Sequence, residues 1–302
     1  MRVWALGPAL WLATVSTVFG AEIERRYAPT IGEGGVVNAA SFRPAPENLV
    51  VPNGIISIFG IDLALRTKTV GMGDLQQGRL PLSLGGVTVD VGGIPAPLYF
   101  VSPGQINVQA PSTLPPNQVT VRVFRESLLS NEVTVKVAKL DPGLFMFVGR
   151  PIITHLDYKL VGRGEFEGST PAHPGEYVVL FATGMGLTLP PVLAGQLPMF
   201  AAQTLAPVRV WVGERLLEGA ASIQYSGQAP GLAGVYQINL LLPLDVPLGD
   251  PEIIVDTRTQ PGLTIAIDPT PEPAPDPPKT YPDVGTRHAL PATPANATPR
   301  SK

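Results

Sequence analysis

The side chains able to do chemistry are few and widely spaced. The 302 residues contain three histidines, His155, His173 and His288, and no cysteine. His155 lies two residues from Asp157, but hydrolysis by a Ser-His-Asp arrangement also needs a serine on a strained elbow, and no Gly-x-Ser-x-Gly occurs. His155 therefore reads as a histidine beside a loop carboxylate, His173 as a turn residue before Pro174, and His288 as part of the C-terminal tail. Asp157, Glu165 and Glu167 flank a glycine-rich loop and are the residue types that paired carboxylates would use on a glycoside. As scattered loop charges they read first as a solvated surface. Asp62 and Asp90 are isolated, without the clustered oxygen ligands a calcium ion requires. Gly71-Met72-Gly73 and Gly184-Met185-Gly186 lack the lysine of a phosphate loop and read as turns. No catalytic residue, metal ligand or cofactor site is assigned.

Binding chemistry is left to the aromatic side chains, since a sugar ring can stack on an exposed aromatic face. The candidates are Trp211, Tyr225 and Tyr236 in the second half of the chain and Tyr99 in the first. All four sit at strand spacing, where the competing role is core packing.

The elements that would position them are short strands. In Tyr99-Phe100-Val101-Ser102-Pro103-Gly104-Gln105-Ile106-Asn107-Val108-Gln109-Ala110-Pro111, an apolar run meets a Pro-Gly turn. Ile106 and Val108 then alternate with Gln105, Asn107 and Gln109 until Pro111 stops the ladder. The phrase recurs as Tyr236-Gln237-Ile238-Asn239-Leu240-Leu241-Leu242-Pro243, with Gln105 and Pro111 both displaced by 132 residues. A second phrase, Pro52-Asn53-Gly54 followed by Ile55 to Gly60, recurs as Pro174-Gly175 followed by Glu176 to Gly184, with Pro52 and Phe59 both displaced by 122. One β unit is thus used twice, and the difference between offsets predicts a longer loop in the second copy, near Gly227 to Gly234. Val87 to Val91 and Ile94 to Val101 predict a hairpin around Gly92-Gly93, echoed by Val208 to Val212. Further strands are expected at 119–124, 132–137, 252–256 and 263–267. About seven short strands in each unit is the pattern of an immunoglobulin-like sandwich.

Composition agrees. The chain is 44% hydrophobic and 15% charged, enough apolar material for packed cores, and its 32 glycines and 35 prolines punctuate Val/Ile/Leu runs as turns do in all-β proteins. A net charge of −3 gives no basic face for nucleic acid. Met1-Arg2, the apolar run from Val3 to Val18 and Val18-Phe19-Gly20 before Ala21 have the layout of a secretory signal peptide, and no later run is long and apolar enough to cross a bilayer as a helix. After Ile267 the composition turns to Pro269-Thr270-Pro271-Glu272-Pro273 and stays proline-rich, which excludes ladder or helix and predicts an extended spacer.

Several of these phrases resemble a bacterial family. Gly35-Val36-Val37-Asn38-Ala39-Ala40-Ser41-Phe42, Ile56-Ser57-Ile58-Phe59-Gly60, Pro97 to Asn107, and Phe181-Ala182-Thr183-Gly184-Met185-Gly186 look like the Solibacter-type uncharacterised C-terminal domain of secreted acidobacterial proteins, over about residues 34–267. The Pro-x-Gly and strand-Gly pattern is more loosely similar to IPT/TIG immunoglobulin-like modules of surface proteins. The resemblance implies a fold and an exported setting; it brings no established activity and no catalytic residues.

The expectation is an all-β chain: a signal peptide at 1–20, a mobile leader at 21–33, immunoglobulin-like (IPT/TIG-like) β-sandwiches at 34–140 and 141–268, and a disordered proline-rich tail at 269–302. The short link Leu140-Asp141-Pro142-Gly143 predicts a stiff pair. The expected role is a secreted or cell-surface, non-catalytic adhesive, scaffolding or spacer element, with an extracellular protein or polysaccharide as partner. Self-association through edge strands is a further expectation. The alternatives are a carbohydrate-binding module using the aromatics and a hydrolase using Asp157 with Glu165 or Glu167.

Overall fold

The computed structural model describes residues 27–256, 260 and 262–269. The expected signal peptide and all but the first residue of the expected tail lie outside the described residues. The first half runs β1 (Thr30–Asn38), β2 (Leu49–Val50), β3 (Ile55–Ile61), β4 (Lys68–Thr69), β5 (Val87–Val91), β6 (Ile94–Pro95), β7 (Leu98–Val101), β8 (Gln105–Gln109), β9 (Gln118–Arg125), β10 (Leu128–Leu129) and β11 (Val133–Val137). One sheet has the order β1-β3-β8-β7-β4; the other has the order β2-β11-β9-β5-β6, with β10 on β9. Pairing is antiparallel except where β2 runs parallel to β11. The opening strand is therefore divided between two sheets, as in an immunoglobulin-type sandwich. Alternation builds the interior: Val119, Val121 and Val123 of β9 face inward, while Thr120, Arg122 and Phe124 do not.

The second half continues with β12 (Gly143–Leu144), β13 (Met146–Phe147), β14 (Arg150–Pro151), β15 (Ile153–Thr154), β16 (Tyr177–Thr183), β17 (Thr188–Leu189), β18 (Gln203–Thr204), β19 (Arg209–Val212), β20 (Arg215–Glu218), β21 (Ile223–Gln228), β22 (Tyr236–Leu241) and β23 (Ile253–Val255). A sheet ordered β12-β16-β22-β21-β18-β17, with β15 on β16, faces a smaller one ordered β20-β19-β23, and β13 and β14 form a short ribbon. A single turn of 3₁₀ helix at Met72–Asp74 is the one helical element among the described residues.

The duplicated phrases are adjacent strands in identical register. In the first half Phe59 pairs with Gln105 and Ser57 with Asn107; in the second Phe181 pairs with Gln237 and Val179 with Asn239. The Gln-Ile-Asn phrase does the same work in each: the glutamine amide donates to the asparagine oxygen two residues on, at 2.8 Å from Gln105 and 3.2 Å from Gln237. Ile106 and Ile238 are fully buried. The parallel contact of β2 and β11 also has its counterpart in the bridge between Ala172 and Ile267.

Four expectations change in detail. The first ladder begins at Thr30, inside the stretch read as leader, and ends at Asn38, because Phe42 turns with φ +49°. The run 94–101 is divided: β6 stays on β5, whereas β7 crosses to the other sheet and pairs with β8. Residues 263–267 make isolated bridges to Glu252 and Gly249 in place of a full strand. The extra length of the second copy lies partly in the loop 229–235, compared with 102–104 in the first, and partly around the longer β20 and β21.

Buried apolar side chains form two clusters. One draws only on residues 31–135, the other only on residues 144–267. Each fully buried Val, Leu or Ile contributes on the order of 1.5–3 kcal/mol, so each half has its own interior.

Candidate functional site: the seam between the halves

The most densely organised polar chemistry lies where the two halves meet. Asn38, Asn53, Gln109, Asp141 and Thr183 are each at most 3% exposed, and buried polar groups must find partners. Thr183, at the end of β16, accepts from the Ile55 backbone N–H at 2.8 Å and donates to the Gly234 carbonyl at 2.8 Å. The Asn38 amide donates to the Asp141 carbonyl at 2.8 Å, while its oxygen caps the turn at the Ala40 N–H. Arg43 reaches Asp141 Oδ1 at 2.9 Å, closing the link segment onto the first half.

A second group of bonds lies on the other flank. Asn53 Nδ2 donates to the Val192 carbonyl at 2.9 Å, and Gln109 holds both sides, donating to Asn53 O at 3.0 Å and accepting from Gly195 N at 2.6 Å. Ser112 Oγ accepts from Ala194 N at 2.7 Å. Gln109 lies in the outward register of β8, where alternation expects water; the second half covers it. Gly184, with φ +76°, completes the fit, since a Cβ there would sit 2.2 Å from the Asp141 carbonyl. Asn38, Thr183 and Gly184 all belong to the phrases that carry the family resemblance.

The aromatic candidates separate. Tyr236 is fully buried, with its hydroxyl donating to the Gly186 carbonyl. Tyr99 donates across the seam to the Ala233 carbonyl. Burial raises the pKa of both phenols, so they remain neutral donors. Tyr225 is half-buried, its hydroxyl against Gln228 O and Ala202. The hydroxyls of these three thus serve bonds within the fold. Trp211 lies on the outward side of β19, since its neighbours Val210 and Val212 are buried, with the Arg209 guanidinium 5.5 Å from its ring centroid. Beside it a groove of about 730 Å³ is lined by Leu140, Pro207, Arg209, Glu218 and Asp256.

The titratable candidates form separate pairs. His155 Nδ1 pairs with Glu176, Nε2 lies 3.1 Å from the Thr170 carbonyl, and Glu176 Oε2 accepts from His173 N at 2.8 Å. The Glu176 hydrogen bond, opposed by burial, raises the His155 pKa. Asp157 is paired with Lys159, and Glu165 with Arg150. These two carboxylates thus serve different cations. Among the described residues no three His, Asp or Glu side chains gather as a metal site would need, and no helix is long and apolar enough to cross a membrane.

No protein-family model matches the chain, and no curated protein matches it. Among solved structures, it is similar to the Bacteroides ovatus mixed-linkage glucan utilization locus protein SGBP-B in complex with a mixed-linkage heptasaccharide, at 11% identity and a TM-score of 0.27, over 76% of this chain and 43% of that one. It is similar to the plexin A4 extracellular region at 10% identity and a TM-score of 0.25, over 83% of this chain and 16% of that one. The S-layer protein SbsC, domains 5–6, matches at 10% identity and a TM-score of 0.24, over 80% of this chain and 99% of that one. The chain thus spans less than half the length of the first two.

Proposed function

We propose that this chain is a secreted, non-catalytic β-sandwich protein whose role at the cell surface is mechanical: a stiff spacer or scaffold made of two immunoglobulin-like units, the first beginning with β1 at Thr30 and ending at 140, the second at 141–268. The observation that carries the reading is the buried hydrogen-bonded seam. Five polar side chains at most 3% exposed tie the ends of the two halves together, which a freely jointed pair would have no reason to bury. The proposal includes membership in the Solibacter-type family and cleavage of the leader after Gly20. Backbone ¹⁵N relaxation tests it: a rigid spacer gives both halves one common rotational diffusion tensor, whereas separate tensors would refute the reading. Turnover in glycosidase or esterase screens that is lost in Asp157→Asn would refute the non-catalytic part.

A second reading is favoured by one observation. Trp211 lies on the outward side of β19 under the Arg209 guanidinium, and Arg209 also lines a groove with Glu218 and Asp256. Carbohydrate binding there predicts retention of the chain on a polysaccharide matrix that Trp211→Ala abolishes; equal retention of both proteins would discard the reading.

A further inference from the structure

On the flank of the seam the two halves form an open cleft of about 610 Å³, lined by side chains from the first-half segments 76–82, 94–97 and 111–113 and by Leu193 and Ala194 of the second. The volume is that of a ligand pocket, and its position between two structural units is where such pockets form. Its walls are already fixed. Leu80 N donates to Gly195 O at 2.8 Å and Leu197 N to Gly78 O at 3.1 Å, while Arg79 and Gln196 form a β-bridge. Gly195 makes the close approach possible: it has φ +81°, and a Cβ there would come within 2.8 Å of Pro97.

Two features of the lining suit a ligand. Leu82, Ile94 and Leu193 are 49%, 37% and 52% exposed and line one concavity, apolar surface that an aliphatic group could cover. Arg79 is the one charged side chain in the lining and forms no ion pair among the described residues. The rim adds the carboxamides of Gln76 and Gln77, which are matched to peptide N–H and C=O groups. No aromatic ring is present on which a sugar could stack.

We propose that this cleft is a peptide-docking site, and that its occupant is an extended segment of another protein carrying an aliphatic side chain close to a carboxylate. The aliphatic group fills the Leu82–Ile94–Leu193 concavity and the carboxylate takes the guanidinium fork of Arg79. The site rests on the halves being held together as proposed above and adds a partner to that reading; one common diffusion tensor without peptide binding would overturn this proposal and leave the spacer reading standing.

The test is selection of a phage-displayed random dodecapeptide library on the full chain, followed by titration of the synthesised consensus peptide. The expected result is enrichment of an aliphatic residue near Asp, Glu or a free C-terminus. Arg79→Glu should weaken the peptide by about tenfold or more, the scale of one lost charge-assisted hydrogen bond; Leu82→Asp should weaken it too, and Trp211→Ala should leave it unchanged. Both cleft variants change exposed side chains, and circular dichroism confirms that they fold. No enriched motif, a basic or aromatic one, or binding indifferent to Arg79→Glu would overturn the proposal, as would capture of a soluble polysaccharide in the same cleft.

Discussion

At the residue scale, Thr183 connects the halves most economically, with one hydroxyl accepting from Ile55 and donating to Gly234. Thr183→Val keeps the shape and strands a buried N–H and a carbonyl, so urea unfolding should show a loss of about 1–3 kcal/mol. A loss within error of zero would mean that water or rearrangement replaces the bond. His155 makes a pH-dependent prediction. Its pKa is raised in the folded state by Glu176, so its stabilisation is complete below the ordinary histidine value of about 6.5 and is lost as pH rises through the raised value. The thermal midpoint should therefore fall on His155→Gln most strongly at the acid end of pH 5–9, with the gap closing toward the alkaline end; a gap that widens with pH would reverse the assignment. Neither residue was legible as a seam or a lock in sequence. Gln109 shows why: strand periodicity assigns it to water, and only packing of a second unit against the sheet end buries it. His155 has Asp157 as its near neighbour in sequence, yet its partner Glu176 arrives from a distant turn.

At the element scale, the sequence carried the strands best where apolar alternation was uninterrupted, as in β9, and where phrases repeated. The pairing of the two repeated phrases as neighbours with matching register was not available from either phrase alone; it follows because the same apolar positions must face the interior in both halves. The division of 94–101 between sheets is not legible in the sequence, because the apolar content of the run is continuous across Pro95 and Pro97. The turn after β16 is the element most sensitive to bulk. Gly184→Ala places a methyl group against a backbone carbonyl at a positive φ, so the cost should reach about 3 kcal/mol or more. Gly73→Ala, with no atom within 4 Å of its added Cβ, should change stability by no more than about 0.5 kcal/mol. Chemical denaturation of the pair compares them directly, and similar values would show that the turn can move away from the link segment.

At the scale of the whole molecule, two separate cores meet through a polar, glycine-fitted contact. Buried side-chain bonds join the two halves on both flanks. On the proposed reading they fix the angle between the units, which would make a spacer of defined length compatible with the proposed peptide cleft. The absence of cysteine from the sequence makes the central claim directly measurable. Spin labels at Met72→Cys and Leu244→Cys, positions 86% and 81% exposed in opposite halves, report the distance between them by double electron–electron resonance. A fixed seam predicts one narrow distance distribution that broadens in Thr183→Val. A broad or multi-peaked distribution in the otherwise unaltered chain would contradict it.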